Sequence, residues 1–399
     1  MEGYAFFRSP QTIAYGRNSF ETIGLEAALK GKKALIVSDK VIEELGFIEK
    51  CQKLLSKVDV QSVVYTGVST EPTDIFVGEA LSLFQKEQCD LIISLGGGSC
   101  IDTAKAVAVL AKNGGYIGDY IGAKKVANQG VIPHIAVPTT AGTGSEATDV
   151  TIITNTMTEV KMMVKQPSFM PTVAIVDPIL TVSSPQHVTS ATGIDALSHA
   201  IEAYLSKRAH PMTDTMALSA MNLIVNNILP AYEDGANIDA REAMALGALQ
   251  AGLAFSNASV CLVHGMSRPI GALFHVPHGY SNAMLLPAVL EYSKEACMDR
   301  LADLGRIFAP NREMMNNEEA ANVALLAVKN LCLKLNIPNL SEWGIDKEKF
   351  ESVVSKMAED ALASGSPGNN PKVPTKTEIE QLYHVCYKYD FSNEEKVGN

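Results

Sequence analysis

Several kinds of segment are missing from this chain of 399 residues. It has no stretch of the roughly 18 uninterrupted apolar residues that a membrane helix needs. Its first residues lack the basic segment and long apolar segment that mark a signal peptide, so we expect neither a membrane span nor a leader. No run of Lys or Arg interrupts a formal net charge of -11. A surface of that sign repels phosphate backbones, which argues against nucleic acid as a partner.

Cysteine is scarce and scattered. The seven cysteines form no CxxC pair, and their number is odd. This distribution argues against a disulfide framework and against a structural zinc site, so we expect a protein of the reducing cytoplasm. With 47% hydrophobic and 19% charged residues, the chain has the composition of a globular enzyme with an ample core.

What is present falls into two halves. In the first, short β-rich apolar runs alternate with helical patterns, and we predict strands at 33–38, 60–65, 91–95, 132–138 and 173–176. This alternation predicts an α/β domain with a mostly parallel sheet covered by helices. After Asp177 the pattern becomes helical, and we predict helices at 186–208, 212–229, 240–256, 261–274, 320–335 and 376–389.

The boundary between the halves is predicted near Ser184, which reads as a helix N-cap followed by Pro185 in the first turn. A chain of this length is expected to form two domains that share one cleft. We therefore predict an α/β domain over residues 1–183 and an all-α domain over residues 184–399.

A glycine-rich turn follows the predicted strand 91–95. Gly96, Gly97, Gly98 and Ser99 lead into a helix predicted from about residue 101 to 112, with Asp102 in its first turn. Glycines at such a turn let the backbone approach a diphosphate, and free N–H groups at the helix start supply donors. The alternative is a tight turn that binds nothing, and the spacing is not the usual GxGxxG. We expect these five residues to contact a dinucleotide.

A second loop, PTTAGTGSE at 138–146, also follows a predicted strand. Its hydroxyl residues Thr139, Thr140, Thr143 and Ser145 suit contact with phosphate oxygens and a ribose, although a solvent-exposed Ser/Thr turn is the alternative. Asp39 follows the strand 33–38, where a carboxylate can accept hydrogen bonds from an adenosine ribose and repel a 2′-phosphate. We therefore expect NAD rather than NADP.

Four residues of the second half form a mixed oxygen and nitrogen ligand set. Asp195 and His199 are four apart on a predicted helix and share one face. Their apolar neighbours indicate burial, and a metal would offset the cost of burying the carboxylate. With His264 and His278 the set suits Fe²⁺ or Zn²⁺ and leaves room for a substrate oxygen. The alternative is an ordinary Asp–His pair on a surface.

Four ordered motifs resemble one family. GGGSCIDTAK at 96–105, PTTAGTGSE at 138–146, GIDALSHAIEAY at 193–204 and HGMSRPIGALFHVPHG at 264–279 resemble the iron-containing alcohol dehydrogenases, across essentially the whole chain. The resemblance implies a dehydroquinate synthase-like architecture, with a dinucleotide-binding domain, a helical metal-binding domain and an active site between them. It implies Fe²⁺ held by Asp195, His199, His264 and His278, and homodimers or larger assemblies. The reaction expected is hydride transfer between a nicotinamide and a small alcohol or aldehyde.

One position departs from the family pattern. Many members carry a histidine four residues after the ligand that matches His264, whereas this chain has Arg268. Arginine does not titrate near neutrality, so a proton relay either passes to His275 or to water, or is dispensable. A planar guanidinium suits a carboxylate, sulfonate or phosphonate, which would make the substrate a small acid-bearing aldehyde. The alternative is that Arg268 pairs with Glu202 or another carboxylate and never meets the substrate.

Two further classes of function stay open on the sequence. A lyase of dehydroquinate-synthase type resembles this architecture, but it needs several basic residues for a phosphate-bearing substrate. Around the ligands the chain has mainly Arg268, with Lys161 and Lys165 further off. A non-catalytic protein that binds metal or nucleotide would keep the fold without turnover. Within the oxidoreductases, a transhydrogenase that never releases its nicotinamide also stays open.

Overall fold

The first half of the chain builds a parallel sheet. The computed structural model describes residues 4–309 and 315–392. In chain order its strands are β1 (Thr12–Tyr15), β2 (Lys33–Val37), β3 (Gln61–Tyr65), β4 (Leu91–Gly96), β5 (His134–Pro138), β6 (Val150–Asn155), β7 (Val160–Lys165) and β8 (Val173–Val176). Six of them form one sheet in the order β1-β8-β5-β4-β2-β3, with every neighbouring pair parallel. Strands β6 and β7 form a separate antiparallel hairpin.

Helices cover both faces of this sheet because its central strands are apolar on both sides. All residues of β4, β5 and β8 are buried. The helices of this half are α1 (Ile23–Ala28), α2 (Lys40–Glu44), α3 (Phe47–Ser56), α4 (Asp74–Lys86) and α5 (Gly98–Asn113). One core cluster contains buried residues of α4 and α5, and a second contains buried residues of α1 and α3.

The strand order reverses direction between β2 and β4. From β2 the chain moves outward to β3, then returns to place β4 on the other side of β2 and continues to β5. Ligands of open α/β sheets bind where the order reverses, beyond the carboxyl ends of the strands. Asp39 follows β2 and Gly97 follows β4, so both lie at this crevice.

The second half is helical. Its helices are α6 (Gln186–Leu205), α7 (Pro211–Glu233), α8 (Ile238–Ala258), α9 (Leu262–Phe274), α10 (His278–Ser293), α11 (Met298–Phe308), α12 (Asn317–Lys334), α13 (Lys347–Ala363) and α14 (Lys376–Tyr387). Residues of all nine contribute to one apolar core. Helix α6 is central to it, with sixteen of its twenty residues buried. No strand follows β8 within residues 177–309 and 315–392.

The predicted fold class is confirmed: a parallel-sheet domain precedes an all-α domain. The division between residues 183 and 184, which lies between β8 and α6, stays a prediction. Several details differ. The sequence analysis did not predict β1, the β6–β7 hairpin, or helices α10, α11 and α13. The helix expected from residue 101 begins at Gly98, so two of the loop glycines cap and open it.

The predicted cap of α6 was wrong by one residue. The helix begins at Gln186, and Pro185 is itself the N-cap, in an extended conformation. A proline at this position removes a backbone donor that a helix end would leave unpaired in any case. Ser184 instead accepts a bond at its carbonyl oxygen from the guanidinium of Arg241.

The cysteine and membrane predictions can also be compared with the structure. All seven cysteines are buried and free. No single helix of the described ranges is both long and apolar enough to cross a membrane. Helices α8 and α9 together have that length and composition, but the chain bends by 103° between them, and most of their residues are buried in the helical core.

The two halves meet at a close backbone contact. Gly144, in the loop after β5, lies against Gly252 of α8 and has a positive φ of 61°. A Cβ added at Gly252 would lie 2.7 Å from the Gly144 carbonyl oxygen and 2.9 Å from its Cα. Both contacts are with backbone, which cannot rotate away as a flexible side chain can. The approach of this loop to α8 therefore requires glycine at both positions.

We expect Gly252→Ala to lower the free energy of unfolding by about 1–3 kcal/mol, because the added methyl group overpacks the contact. Gly78→Ala is the matched control, since Gly78 lies in α4 with nothing within 4 Å of the added Cβ. The control should raise stability by about 0.5–1 kcal/mol, as alanine does in an open helix position. Urea unfolding of both variants measures the difference, and equal stabilities would contradict the close contact.

Candidate active site

Four potential metal ligands converge from three helices. Asp195 and His199 lie one turn apart on α6, His264 is in the first turn of α9, and His278 begins α10. Asp195 Oδ1 lies 3.8 Å from His199 Nδ1, 3.6 Å from His264 Nε2 and 3.8 Å from His278 Nε2. One ligand atom from each of the four lies within 4.8 Å of all the others. The structure thus brings together the four residues predicted from the sequence.

A buried carboxylate orients His264. Glu202 accepts a 2.5 Å hydrogen bond at Oε2 from His264 Nδ1 and a 2.6 Å bond at Oε1 from the Val263 N–H. Burial opposes the charged imidazole, but Glu202 and Asp195 outweigh it and raise the pKa of His264. The hydrogen bond to Glu202 holds a proton on Nδ1, and Nε2 faces the other ligands. Carboxylate–histidine pairs of this kind fix the ring orientation at metal sites.

The other two imidazoles are neutral at pH 7. Burial lowers the pKa of His199 to about 3 and that of His278 to about 4. A neutral imidazole keeps a lone pair for a metal. His199 also stacks on Phe255, with ring centroids 4.2 Å apart, and its Nδ1 is buried without a hydrogen-bond partner. A buried imidazole nitrogen without a hydrogen-bond partner is suited to bind a metal ion.

Asp195 supplies the negative charge of the cluster. Its side chain is 2% exposed. Burial works to raise the pKa of this carboxyl, but the neighbouring His199, His278 and His264 outweigh it and hold the pKa below its ordinary value. An ionised carboxylate with two neutral imidazoles and one oriented imidazole is a donor set that Fe²⁺ or Zn²⁺ accepts.

Arg268 lies beside this cluster without an ion-pair partner among the described residues. Its Nε and Nη1 atoms are buried and make no hydrogen bond. Burial lowers the pKa of Arg268 to about 10, which Glu202 partly counteracts, so the guanidinium stays charged at neutral pH. Its charge in turn helps to lower the pKa of His199. The predicted alternative, a direct pair with Glu202, is not formed, because both Glu202 oxygens bond elsewhere.

The α/β domain contributes a charged pair to the same cleft. Lys161 of β7 lies 3.0 Å from Glu71, and both charges affect the pKa of His278. Lys161 Nζ would lie 3.0 Å from a Cβ added at Gly271 of α9. The sequence analysis named Lys161 as a basic residue but did not predict that it lies so near the ligands. Its position shows that the cluster lies between the two domains.

The two small-residue loops meet at the crevice of the sheet. The Thr139 N–H donates to the Gly96 carbonyl oxygen at 3.0 Å. A Cβ at Gly98 would lie 2.8 Å from the Thr143 side chain, and one at Gly97 would lie 3.7 Å from Thr140 Oγ1. The glycines thus leave a narrow space at the N-terminus of α5, where unpaired N–H groups favour an anion.

Asp39 borders this space. Its Oδ1 accepts from the Ile42 N–H and caps α2, and its Oδ2 lies 3.6 Å from Cys100 Sγ and would lie 3.5 Å from a Cβ at Gly96. Asp39 therefore stands beside the glycine turn, although almost sixty residues separate them in sequence. A capping role and a ribose contact are compatible, since each oxygen has two lone pairs.

Asp102 and Ser145 are more deeply buried than Asp39. Asp102 Oδ2 accepts from the Ile152 N–H at 2.9 Å, and its Oδ1 lies 3.6 Å from Lys105 Nζ. Burial raises the pKa of Asp102, against the nearby Lys105 charge and hydrogen bonds that include Ser145. These bonds attach the hairpin strand β6 to α5. Ser99 lies at the surface of the same helix start, partly exposed.

Comparison with known proteins agrees with this geometry. The family model for iron-containing alcohol dehydrogenase matches residues 10–178, and the model for the C-terminal part of the Fe-containing alcohol dehydrogenase family matches residues 189–387. The chain is 37% identical over 382 residues to the 1,3-propanediol dehydrogenase of Citrobacter freundii, covering 95% of this chain and 97% of that one. This chain belongs to the iron-containing alcohol dehydrogenase family. Its chemistry is accordingly that of an oxidoreductase.

Solved structures of similar proteins share the fold of this chain. A 1,3-propanediol oxidoreductase superposes with a TM-score of 0.92 at 36% identity, covering 96% of this chain and all of that one. The sulfoacetaldehyde reductase of Bifidobacterium kashiwanohense, solved in complex with NAD⁺, superposes with a TM-score of 0.85 at 29% identity, covering 97% and 100%. The likeness therefore extends over both domains.

The sequence analysis did not assign two buried residues that touch the ligands. Glu202 follows Asp195 by seven residues, so the positions i, i+4 and i+7 place it on the ligand face of α6. That spacing could have identified it as more than a possible partner of Arg268. Asn282 follows His278 by one turn on a helix that was not predicted. The candidate relay His275 is exposed at the C-cap of α9, with a φ of 55°.

We expect Glu202→Gln to weaken metal binding about 10- to 100-fold, because the neutral amide no longer holds the His264 imidazole as a carboxylate does. Glu380→Gln on α14 is the matched control, since it lies outside the ligand cluster. Competition with a chelator of known affinity measures the dissociation constant. Equal affinities for the two variants would show that Glu202 has no role at the centre.

Glu146 ends the second loop and is 3% exposed. Burial raises its pKa to about 7, against the attraction of Lys105. A carboxyl whose folded pKa lies above its unfolded value binds its proton more tightly in the folded state. The stability that it contributes is complete below about pH 4.5 and is lost as pH rises toward 7.

We expect the wild-type protein to lose about 3 kcal/mol of unfolding free energy between pH 4.5 and pH 7.5 relative to Glu146→Gln, which cannot ionise. Urea unfolding at several pH values compares the two. Glu348→Gln, at an exposed position of α13, should follow the wild-type pH dependence. Parallel curves for wild type and Glu146→Gln would contradict the raised pKa.

Proposed function

We propose that this member of the family is an NAD-linked, metal-dependent reductase and dehydrogenase of small aldehydes and alcohols that bear an acidic group. One observation carries the substrate class. Arg268 lies beside the ligand cluster as a charged guanidinium whose Nε and Nη1 atoms are buried and unpaired. A buried charge without a partner costs several kcal/mol, which an anionic ligand group would offset.

The four residues Asp195, His199, His264 and His278 would hold the metal, and Fe²⁺ is the ion that the family suggests. When bound, the metal supplies a Lewis acid that polarises the carbonyl group and stabilises negative charge on its oxygen as the nicotinamide delivers hydride. Glu202 keeps the proton on His264 Nδ1 so that Nε2 stays available. The reverse reaction oxidises the alcohol at the same site.

Arg268 orients the substrate in this proposal. A carboxylate or sulfonate can accept two parallel hydrogen bonds from a guanidinium, which fixes the direction of the attached carbon chain. The family includes a protein named sulfoacetaldehyde reductase, whose aldehyde carries a sulfonate. Because arginine cannot release its proton, the proton for the product alkoxide comes from water or from His275, which lies exposed at the C-cap of α9.

We propose that the cofactor is NAD rather than NADP. The Gly96–Gly98 turn, Ser99 and the hydroxyls of the second loop would hold the diphosphate and the nicotinamide ribose. Asp39 stands at the end of β2 beside the glycine turn, where its charge would repel the 2′-phosphate of NADP. We further propose that Asp102 and Ser145 act by holding the loop, and that the enzyme works as a cytoplasmic homodimer or larger assembly, as the family resemblance suggests.

The test compares a neutral and an acidic aldehyde under anaerobic conditions with Fe²⁺ and NADH. We expect wild-type kcat/KM for succinic semialdehyde to exceed that for propanal. Arg268→His should lower kcat/KM for the semialdehyde about 10- to 100-fold, the loss of roughly 1.5–3 kcal/mol that a hydrogen bond to a charged group contributes. The value for propanal should stay within about threefold.

Two controls accompany this measurement. Arg306→His changes a partly exposed arginine of α11 that pairs with Asp303, and it should alter neither substrate. Enzyme treated with a chelator should lose both activities. An unchanged preference in Arg268→His would refute the anion-binding role alone, whereas activity that survives removal of the metal would refute the metal-dependent mechanism.

A further inference from the structure

The imidazole of His199 is oriented by an aromatic ring rather than by a carboxylate. Glu202 holds the His264 ring through a hydrogen bond at Nδ1, whereas His199 Nδ1 is buried and has no hydrogen-bond partner. Phe255 of α8 instead stacks on His199, with the ring centroids 4.2 Å apart and the ring planes 16° apart. Imidazoles at metal sites are ordinarily oriented by an acceptor at the second nitrogen. We infer that the stacked phenyl ring has this role at His199.

The residue that follows Phe255 is bonded to the α/β domain. Ser256 is buried in the last turn of α8. Its hydroxyl group donates a 3.1 Å hydrogen bond to Oδ1 of Asp149, the residue before β6. The Asp149 N–H in turn donates to Ser256 Oγ at 3.2 Å. Two hydrogen bonds thus join the α/β domain to the end of α8, directly beside the ring that stacks on His199.

Lys165, at the end of β7, strengthens the same contact. Its Nζ lies 3.2 Å from Asp149 Oδ1 and also donates to the Ser256 carbonyl oxygen. The last carbonyl groups of a helix have no partner within the helix, and a positive charge is favourable at that end. Asp149 is 3% exposed, and a carboxylate at that depth is unfavourable unless it is paired. Lys165 and Ser256 supply that pairing, so the buried charge holds the end of α8 against the hairpin.

We propose that Asp149 is a positioning residue of the metal centre, which acts from the α/β domain by fixing Phe255 against His199. The proposal rests on the proposed function, because it requires that His199 and its three partners bind a metal ion. Asp149 contacts neither the ion nor the substrate. It holds Ser256, which fixes the neighbouring Phe255 ring, and that ring restricts the rotation of the His199 imidazole. The ligands of the helical domain are therefore fully oriented only when the β6–β7 hairpin is bonded to α8.

The other end of α8 supplies a matched control. Arg17, in the loop after β1, pairs with Glu242 near the start of α8, with Nε 2.7 Å from Oε2. This ion pair joins the same helix to the same domain as Asp149 does. At a rise of about 1.5 Å per residue, Glu242 lies about 20 Å along the helix from Phe255. Glu242→Gln therefore weakens a contact between the domains without changing the contact at His199.

The experiment uses the full-length protein, stripped of metal with a chelator and titrated with Co²⁺ in competition with a dye of known affinity. We expect Asp149→Ala to weaken Co²⁺ binding about 3- to 10-fold, the effect of losing about one hydrogen bond. Asp149→Asn keeps an oxygen that can accept from the Ser256 hydroxyl group, so it should restore most of the affinity. Glu242→Gln should bind Co²⁺ as wild type does. Urea unfolding of the same variants shows separately how far each one changes the stability of the fold.

A double-mutant cycle tests whether Asp149 acts through Phe255. Phe255→Leu removes the stacked ring and should weaken Co²⁺ binding at least as much as Asp149→Ala does. In the Phe255→Leu protein, the further change Asp149→Ala should have no additional effect on Co²⁺ affinity, because the group through which it acts is gone. Ser256→Ala removes the other partner of the hydrogen bond and should reproduce the loss seen in Asp149→Ala. The test therefore does not depend on whether one particular variant folds well.

Three other outcomes would overturn the proposal. If Asp149→Ala and Ser256→Ala bind Co²⁺ as tightly as wild type, the contact only joins the domains, and the proposed function stands without it. If the losses caused by Asp149→Ala and Phe255→Leu add in the double variant, Asp149 does not act through the stacked ring. If the wild-type protein binds no Co²⁺, Fe²⁺ or Zn²⁺, the proposed metal centre itself fails, and the positioning role fails with it.

Discussion

The buried carboxylate of Asp195 is the group on which the arrangement of the cleft depends. An ionised carboxylate with 2% of its surface exposed is stable only if other groups supply compensating charge or hydrogen bonds. Three imidazoles and the Asn282 amide surround it, and each is supplied by a helix start or a helix turn of the second domain. The helical core of that domain therefore holds these polar groups close together, whereas each of them would be unfavourable if it were buried alone.

The first domain approaches the helical domain through contacts that need small residues. The order of the parallel strands reverses between β2 and β4, so Asp39 and the glycine turn share one crevice. The loop after β5 then reaches from that crevice to the helical domain, where Gly144 lies against Gly252. One loop thus touches both the crevice of the sheet and helix α8 of the helical domain.

Local signals predicted more of this site than long-range ones did. The spacing of Asp195 and His199 predicted a shared face, and the glycine turn predicted a helix start, because both are fixed within one or two turns. Sequence periodicity does not show that His264 and His278 lie close to Asp195 and His199, because this depends on how α9 and α10 pack. The four residues were grouped as one ligand set through the family resemblance. The short edge strand β1 and the β6–β7 hairpin were missed because four to six residues of partly exposed chain carry little pattern. The unpaired state of Arg268 depends on where Glu202 points, which sequence does not encode locally.

Burial has different consequences for the histidines and for the arginine of the cleft. The same apolar surroundings lower the pKa of His199 to about 3 and of His278 to about 4, yet they lower that of Arg268 only to about 10. The imidazoles are therefore neutral and free to bind a metal, while the guanidinium keeps its charge. A histidine at position 268 in these surroundings would be pushed toward the neutral form, and a permanent positive charge beside the ligand cluster requires arginine. The departure from the family pattern thus exchanges a group that can relay a proton for one that can hold an anion.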